Sequence, residues 1–234
     1  MVLTRLGQKT DQRFRMVKTV VHIVVIVIIG AFLGGCPSFW NSLQAAKEPD
    51  AEGLYKQAEA QYKDGEFTEA VDTYERLKSA YPEFDKMPSV YVKIGDALFA
   101  AGNYDRAISR YQQFIELYPT HRFVPRAKYY SALAYFNQIK KTDLDNALIK
   151  KAEQAFGELA ADPKGGEWAK KAKEKQGECR KKLAEKEFDK AYTYYKMGNY
   201  AAARVAAQRV LDQYPKLGFD DQAKDIVDRV KKRE

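Results

Sequence analysis

By type, the side chains of this 234-residue sequence that could do chemistry are two cysteines, Cys36 and Cys179, and one histidine outside the N-terminal region, His121. A general base or an activated nucleophile needs a partner within hydrogen-bond reach, and no pairing in the sequence supplies one. His121 follows Tyr118-Pro119-Thr120 in a predicted inter-helix turn, where its expected role is to cap the next helix or pack in the turn. Cys179 lies among Lys and Glu on a predicted helix and reads as a half-buried small apolar side chain rather than a reactive thiol. No HExxH, CxxC or phosphate-cradling glycine loop occurs. The residues therefore point away from catalysis, and no cofactor or metal site is expected.

Cys36 is distinguished by what precedes it. Residues Val20 to Leu33 form an apolar run of 14, with basic residues before it and Gly34-Gly35-Cys36 after it. The uncharged His22 is carried within that run. This is the length of an export-signal core, whereas a transmembrane helix wants about 20 residues. Leu33-Gly34-Gly35-Cys36 resembles the lipobox, in which a branched residue and two small ones expose the bond before a cysteine that becomes acylated. Residues 1–35 are accordingly expected to be a lipoprotein signal peptide and Cys36 the lipid-bearing residue; an uncleaved anchor is the alternative. Met16 begins a second, more compact leader. Two or more acyl chains hold a protein on a membrane for long times. Pro37, in place of Asp, favours the outer membrane as destination, with the protein facing the periplasm. Residues 36–50 then form a tether of at most roughly 50 Å.

The remaining chain is about 200 residues, enough for one large domain or a short repeat array. A hydrophobic content of 45%, with 16 Tyr, is too rich for disorder. The formal charge of +8 overstates the basicity, because residues 1–36 carry five Lys/Arg and one acid, which leaves about +4 for the rest. That balance argues against a nucleic-acid partner.

A repeat appears at a spacing of 37. Gly65, Phe67, Ala70, Tyr74, Leu77 and Tyr81-Pro82 return as Gly102, Tyr104, Ala107, Tyr111, Phe114 and Tyr118-Pro119. The same gaps of 2, 5, 9, 12, 16 and 17 recur in Gly198, Tyr200, Ala203, Ala207, Val210 and Tyr214-Pro215. Each residue type has a mechanical reason. Glycine ends a first helix in the left-handed conformation, the aromatic closes the turn, alanine permits close approach and proline stops the second helix. Ala58, Gly95 and Ala132 supply the small residue at the helix crossing, while Leu54 and Tyr91 pack the first helix on its neighbour. The reading is an all-α, tetratricopeptide-like superhelix. Its units span about 51–82, 88–119, 125–163 and 167–215, and a lone polar helix at 219–234 forms the cap. In the fourth unit, residues 167–197 are expected to form one long helix. The basic run from Lys170 to Lys186, interleaved with Glu174, Glu178 and Glu185, reads as a solvated helix face or as a docking surface for an acidic partner.

Stacked helix pairs curve, and their first helices line the concave side, which suits an extended peptide or a helix. Aligning the units on their glycines puts Tyr55, Glu59, Tyr62 and Lys63, then Val92, Asp96 and Phe99, on that side, with Tyr129 and Phe136 continuing it. These form the expected client-peptide groove.

Beyond the repeat, Phe114 to Phe136 and Leu183 to Pro215 resemble segments of the BamD family, tetratricopeptide lipoproteins of the outer-membrane β-barrel assembly machinery; Glu187, Ala191, Tyr194 and Tyr195 carry the resemblance most. It implies a periplasmic scaffold anchored at the outer membrane. Its N-terminal units would bind unfolded outer-membrane proteins, and its C-terminal units would dock the barrel-forming, BamA-like subunit, alongside other assembly lipoproteins. Tyr194 and Tyr195 fall in the implied docking region. Family members carry an arginine mid-helix after the Tyr-Tyr segment where this chain has Ala206, so Arg204 or Arg209 is expected to substitute. Members also finish with a further complete helix pair, where this sequence has a single predicted helix. An adaptor for cell-wall or Tol-type envelope complexes is the competing reading.

Overall fold

In a computed structural model that describes residues 49–139 and 146–233, every regular element is an α-helix. Cys36, the export segment and the tether before Pro49 lie outside the described residues. The helices are α1 Ala51–Lys63, α2 Phe67–Ala80, α3 Met87–Ala100, α4 Tyr104–Leu117, α5 Val124–Asn137, α6 Ala147–Ala160, α7 Gly166–Lys196, α8 Tyr200–Gln213 and α9 Asp220–Lys231. Consecutive helices pack on one another along the array. Among the described residues, no helix is long and apolar enough to cross a membrane.

The repeat is visible in the backbone. Asp50 starts α1 by accepting the Gly53 N–H on its carboxylate at 2.8 Å. Gly65, Gly102 and Gly198 follow the ends of α1, α3 and α7 with φ of 83°, 74° and 76°, a region costly for a residue with a Cβ. An aromatic on each side of these turns closes them edge to face or tilted: Tyr62 on Phe67, Phe99 on Tyr104 and Tyr195 on Tyr200, with ring centres 5.3–5.7 Å apart. Pro88 and Pro125 sit in the first turns of α3 and α5, where the missing N–H costs nothing.

Each second helix buries the same three positions. Ala70, Tyr74 and Leu77 of α2, Ala107, Tyr111 and Phe114 of α4, and Ala203, Ala207 and Val210 of α8 are fully buried. In α6 the set is Ala152, Phe156 and Leu159. Gly95 explains one close crossing, because a Cβ there would come within 2.6 Å of the Tyr111 ring.

Three apolar clusters run along the array, and the 31-residue α7 serves two of them. Its residues Ala172, Cys179 and Leu183 join the cluster with α5 and α6, and Ala191 belongs to the next cluster with α8 and α9. The terminal helix differs from the expected polar cap. Ala223, Ile226, Val227 and Val230 form a buried stripe, so α9 is amphipathic and closes the last core against α8. The i,i+3 and i,i+4 spacing of those residues was present in the sequence but diluted by Asp, Lys and Arg on the opposite face.

Candidate functional site

Helices α1, α3 and α5 together wall a groove enclosing a cavity of about 480 Å³. Tyr55 and Tyr62 come from α1, Ser89, Val92, Lys93 and Asp96 from α3, Arg126 from α5, and Arg122 and Phe123 from the turn before α5. Four of the residues expected in a groove are thus brought to one place: Tyr55, Tyr62, Val92 and Asp96.

Two matching polar relays stiffen this wall. The hydroxyl of Tyr74 donates to Glu59, which also takes Lys93 of the next unit at 2.9 Å. One repeat later, Tyr111 donates to Asp96 at 2.8 Å, and Asp96 also binds Arg126 at 2.9 and 3.0 Å. Burial, the charge of Asp96 and the hydrogen bond to it together push the Tyr111 hydroxyl far above the ordinary tyrosine range. Burial acts on the Arg126 guanidinium in the opposite sense to Asp96, which wins and raises it. Both acids are therefore spoken for. Glu59 and Asp96 tie neighbouring units together rather than offering free charge to a ligand.

Cations lie over rings around the same wall: Lys86 is 5.1 Å from the centre of Tyr55, Lys93 5.7 Å from Tyr62, Arg126 4.7 Å from Tyr130 and Arg122 4.9 Å from Phe123. The groove thus combines aromatic faces with basic groups. Lys63 is exposed outside the cavity lining, and Phe99 is half-buried between Tyr104 and Tyr130.

Tyr129 and Phe136 do not continue the groove. Tyr129 packs on Phe156 and Trp168 at 5.7 and 5.3 Å, and Phe136 packs on Phe156 at 6.5 Å under the ammonium groups of Lys175 and Lys182. Both belong to the core that α5 shares with α6 and α7. The N-terminal part of α7 packs on α5 and sets Trp168 against Tyr129 and Lys175 and Lys182 over Phe136.

A second concavity of about 500 Å³ lies between α7 and α8 and is lined by Lys190, Tyr194, Asn199, Ala201, Ala202, Val205, Ala206 and Arg209. Val205 is 52% exposed there, an apolar side chain left open beside two basic ones. Arg209 pairs with Glu187 at 3.2 Å, while Arg204 is exposed and not part of the lining. Tyr195 turns away from this concavity, toward Tyr200 and Arg233. Ala206 is buried at the floor, which places Arg209 rather than Arg204 at its rim.

The family described as YfiO, outer membrane lipoprotein, matches residues 47–229. The chain belongs to this family. Among its relatives, the "Outer membrane protein assembly factor BamD" of Neisseria meningitidis is 24% identical over 219 residues, covering 88% of this chain and 82% of that one. The protein of the same name from Caulobacter vibrioides is 26% identical over 192 residues, 82% of this chain and 63% of that one. A solved structure, PcrH from Pseudomonas aeruginosa, aligns at 20% identity with a TM-score of 0.40 over 58% of this chain and 95% of that one.

Sequence reasoning missed Lys93, Arg122, Phe123 and Arg126 of this groove. The signal for the relays was legible: an acid, a tyrosine 15 positions later and a cation 30 or 34 positions later, in both of the first two units. Arg122 and Phe123 had no such signal, because they sit in a turn whose direction only the stacking of α4 and α5 sets.

The remaining chemistry-bearing residues are structural. His121 accepts the Phe123 N–H on Nδ1 at 3.2 Å and packs edge to face with Phe114 and Phe123. Cys179 is fully buried, and burial followed by the charges of Glu153 and Glu178 pushes its thiol up to about 12. A thiolate-specific reagent should therefore leave Cys179 unmodified in the native protein and modify it at once in denaturant. Rapid native labelling of a Cys36→Ser variant would show that the α6/α7 core opens readily. The basic run of α7 is partly paired with acids on the same helix, Lys171 with Glu167 and Lys175 with Glu178, as in a solvated face.

Proposed function

We propose that this chain is a non-catalytic scaffold lipoprotein of outer-membrane protein assembly, anchored through acylated Cys36 and facing the periplasm. The observation that carries this reading is the family match over residues 47–229, together with relatives named as assembly factors that align over most of this chain. In this reading the α1/α3/α5 groove takes unfolded outer-membrane protein segments. The α7/α8 concavity, with Tyr194, Val205 and Arg209, takes the periplasmic part of a barrel-forming subunit, and other assembly lipoproteins join the same complex.

The physical support is the division of labour along the array. The groove and the α7/α8 concavity rest on different apolar clusters, so two partners fit one chain without competing for a surface. The test is mild crosslinking and affinity purification from detergent-solubilised outer membranes. A β-barrel protein with periplasmic domains should co-purify, and Arg209→Glu should release it while leaving helicity unchanged. Recovery of cell-wall enzymes or Tol-type proteins in place of a barrel would overturn the reading.

A further inference from the structure

Gly177 stands exposed in the interior of the 31-residue α7, and a Cβ added there would meet nothing within 4 Å. Gly95 and Gly157 differ, since a Cβ at either would come within 2.6 Å of the Tyr111 ring or the Gln176 side chain. Nor does Gly177 have the positive φ of Gly65, Gly102 and Gly198. Glycine inside a helix weakens it relative to alanine, and no described neighbour asks for it here. Its missing side chain leaves a gap in an exposed helix ridge, where the backbone of another element can come close. The residues around the gap give that element its chemistry. Lys173 and Lys181 lie one helical turn on either side of Gly177, and Lys170 a turn further back, all exposed on the same face. Lys171 and Lys175, on another side of α7, pair with Glu167 and Glu178, whereas among the described residues Lys170, Lys173 and Lys181 pair with no carboxylate. Glu174 shares their face and offsets only one of them. Arg180 is spent on the Gln213 carbonyl at 3.0 Å and on Glu153.

We propose that α7 carries a docking face of its own, on which a partner helix with acidic side chains on both sides of a small residue crosses at Gly177, its carboxylates reaching Lys173 and Lys181. Those two lysines stand about 12 Å apart along the axis at 1.5 Å per residue, enough to straddle a helix roughly 10 Å across. A flat anionic membrane would meet the lysine tips and gain nothing from the gap. A small anion would gain nothing either, because the Gly177 N–H is held within the hydrogen bonding of α7. None of these residues lines the α1/α3/α5 groove or the α7/α8 concavity, so the face is independent of what fills either.

The test uses the full chain in non-ionic detergent micelles and fluorescence anisotropy with two fluorescein-labelled peptides of identical Ala- and Glu-rich composition, each about 20 residues long so that it is helical alone. One places alanine along a single helix face with glutamates on both flanks, and the other is scrambled so that its glutamates ring the helix. The patterned helix should bind about tenfold tighter than the scrambled one. Gly177→Gln should raise the thermal midpoint, because glutamine is the better helix former, and yet weaken binding of the patterned helix about tenfold. A purely structural role for Gly177 would not lower affinity while raising stability. Lys173→Gln combined with Lys181→Gln should weaken the patterned helix about fivefold and remove most of the salt dependence, with circular dichroism unchanged. Equal binding of the two peptides means that only net charge is read, as on an anionic membrane surface, and overturns the proposal. Undiminished binding to Gly177→Gln overturns it as well, and so does the absence of binding by either peptide; the scaffold reading is tested separately and survives all three.

Discussion

Asp96→Ala should lower the unfolding free energy by about 3 kcal/mol, the lower end of the cost of breaking a buried ion pair. Asp96 is 7% exposed and accepts from both Tyr111 and Arg126, so its removal strands a buried hydroxyl and a largely buried guanidinium in the same step. The Arg126 side chain keeps 26% exposure, and solvent therefore screens part of the loss. Tyr111→Phe removes one hydrogen bond and should cost only about 1 kcal/mol. The pairing is checked by a double-mutant cycle: Arg126→Met in the Asp96→Ala background should recover stability, because no unpaired charge remains. Urea unfolding followed at the helical dichroism band reads all three. A loss below about 1 kcal/mol for Asp96→Ala would mean that the relay does not stiffen the groove.

Phe156→Ala should cost about 3–5 kcal/mol, the range for emptying a large aromatic site in a close-packed core. The ring is fully buried and meets Tyr129 and Phe136 of α5, while Leu159 on its own helix faces the same cluster as Cys179 and Leu183 of α7. In a linear array each unit is stabilised chiefly by its neighbours, so a weakened joint reduces cooperativity as well as stability. The variant should therefore unfold in a broader transition, with the thiol of Cys179 becoming reactive before the helices of the first two units melt. Coincident loss of thiol protection and helicity would contradict that division. The Cys36→Ser background keeps the thiol signal specific.

The helix pairs of the first two units and of α7/α8 were readable from spacing because each position has one mechanical demand, repeated. Gly65, Gly102 and Gly198 must take positive φ, and Tyr74 and Tyr111 must fill a buried gap opposite a small residue. The groove was only half readable. Tyr55, Tyr62, Val92 and Asp96 follow from aligning the units, because equal spacing on equal helices gives equal direction. Tyr129 and Phe136 obey the same alignment and still go elsewhere, since the N-terminal part of α7 packs over them. Alignment fixes the angle at which a side chain leaves its helix, not what stands in front of it.

The sequence by itself determined that this chain is an array of helix pairs, where the turns fall, and which small and aromatic residues face one another across each pair. Those features depend on contacts between residues close in the chain, set by local backbone geometry and periodicity. The tertiary structure decided which cations remain uncompensated, which arginine stands at the rim of the α7/α8 concavity, and that Arg122 and Phe123 join the groove. These depend on distances between units far apart in sequence, where a small change in how one helix crosses the next moves a side chain from an open wall into the core.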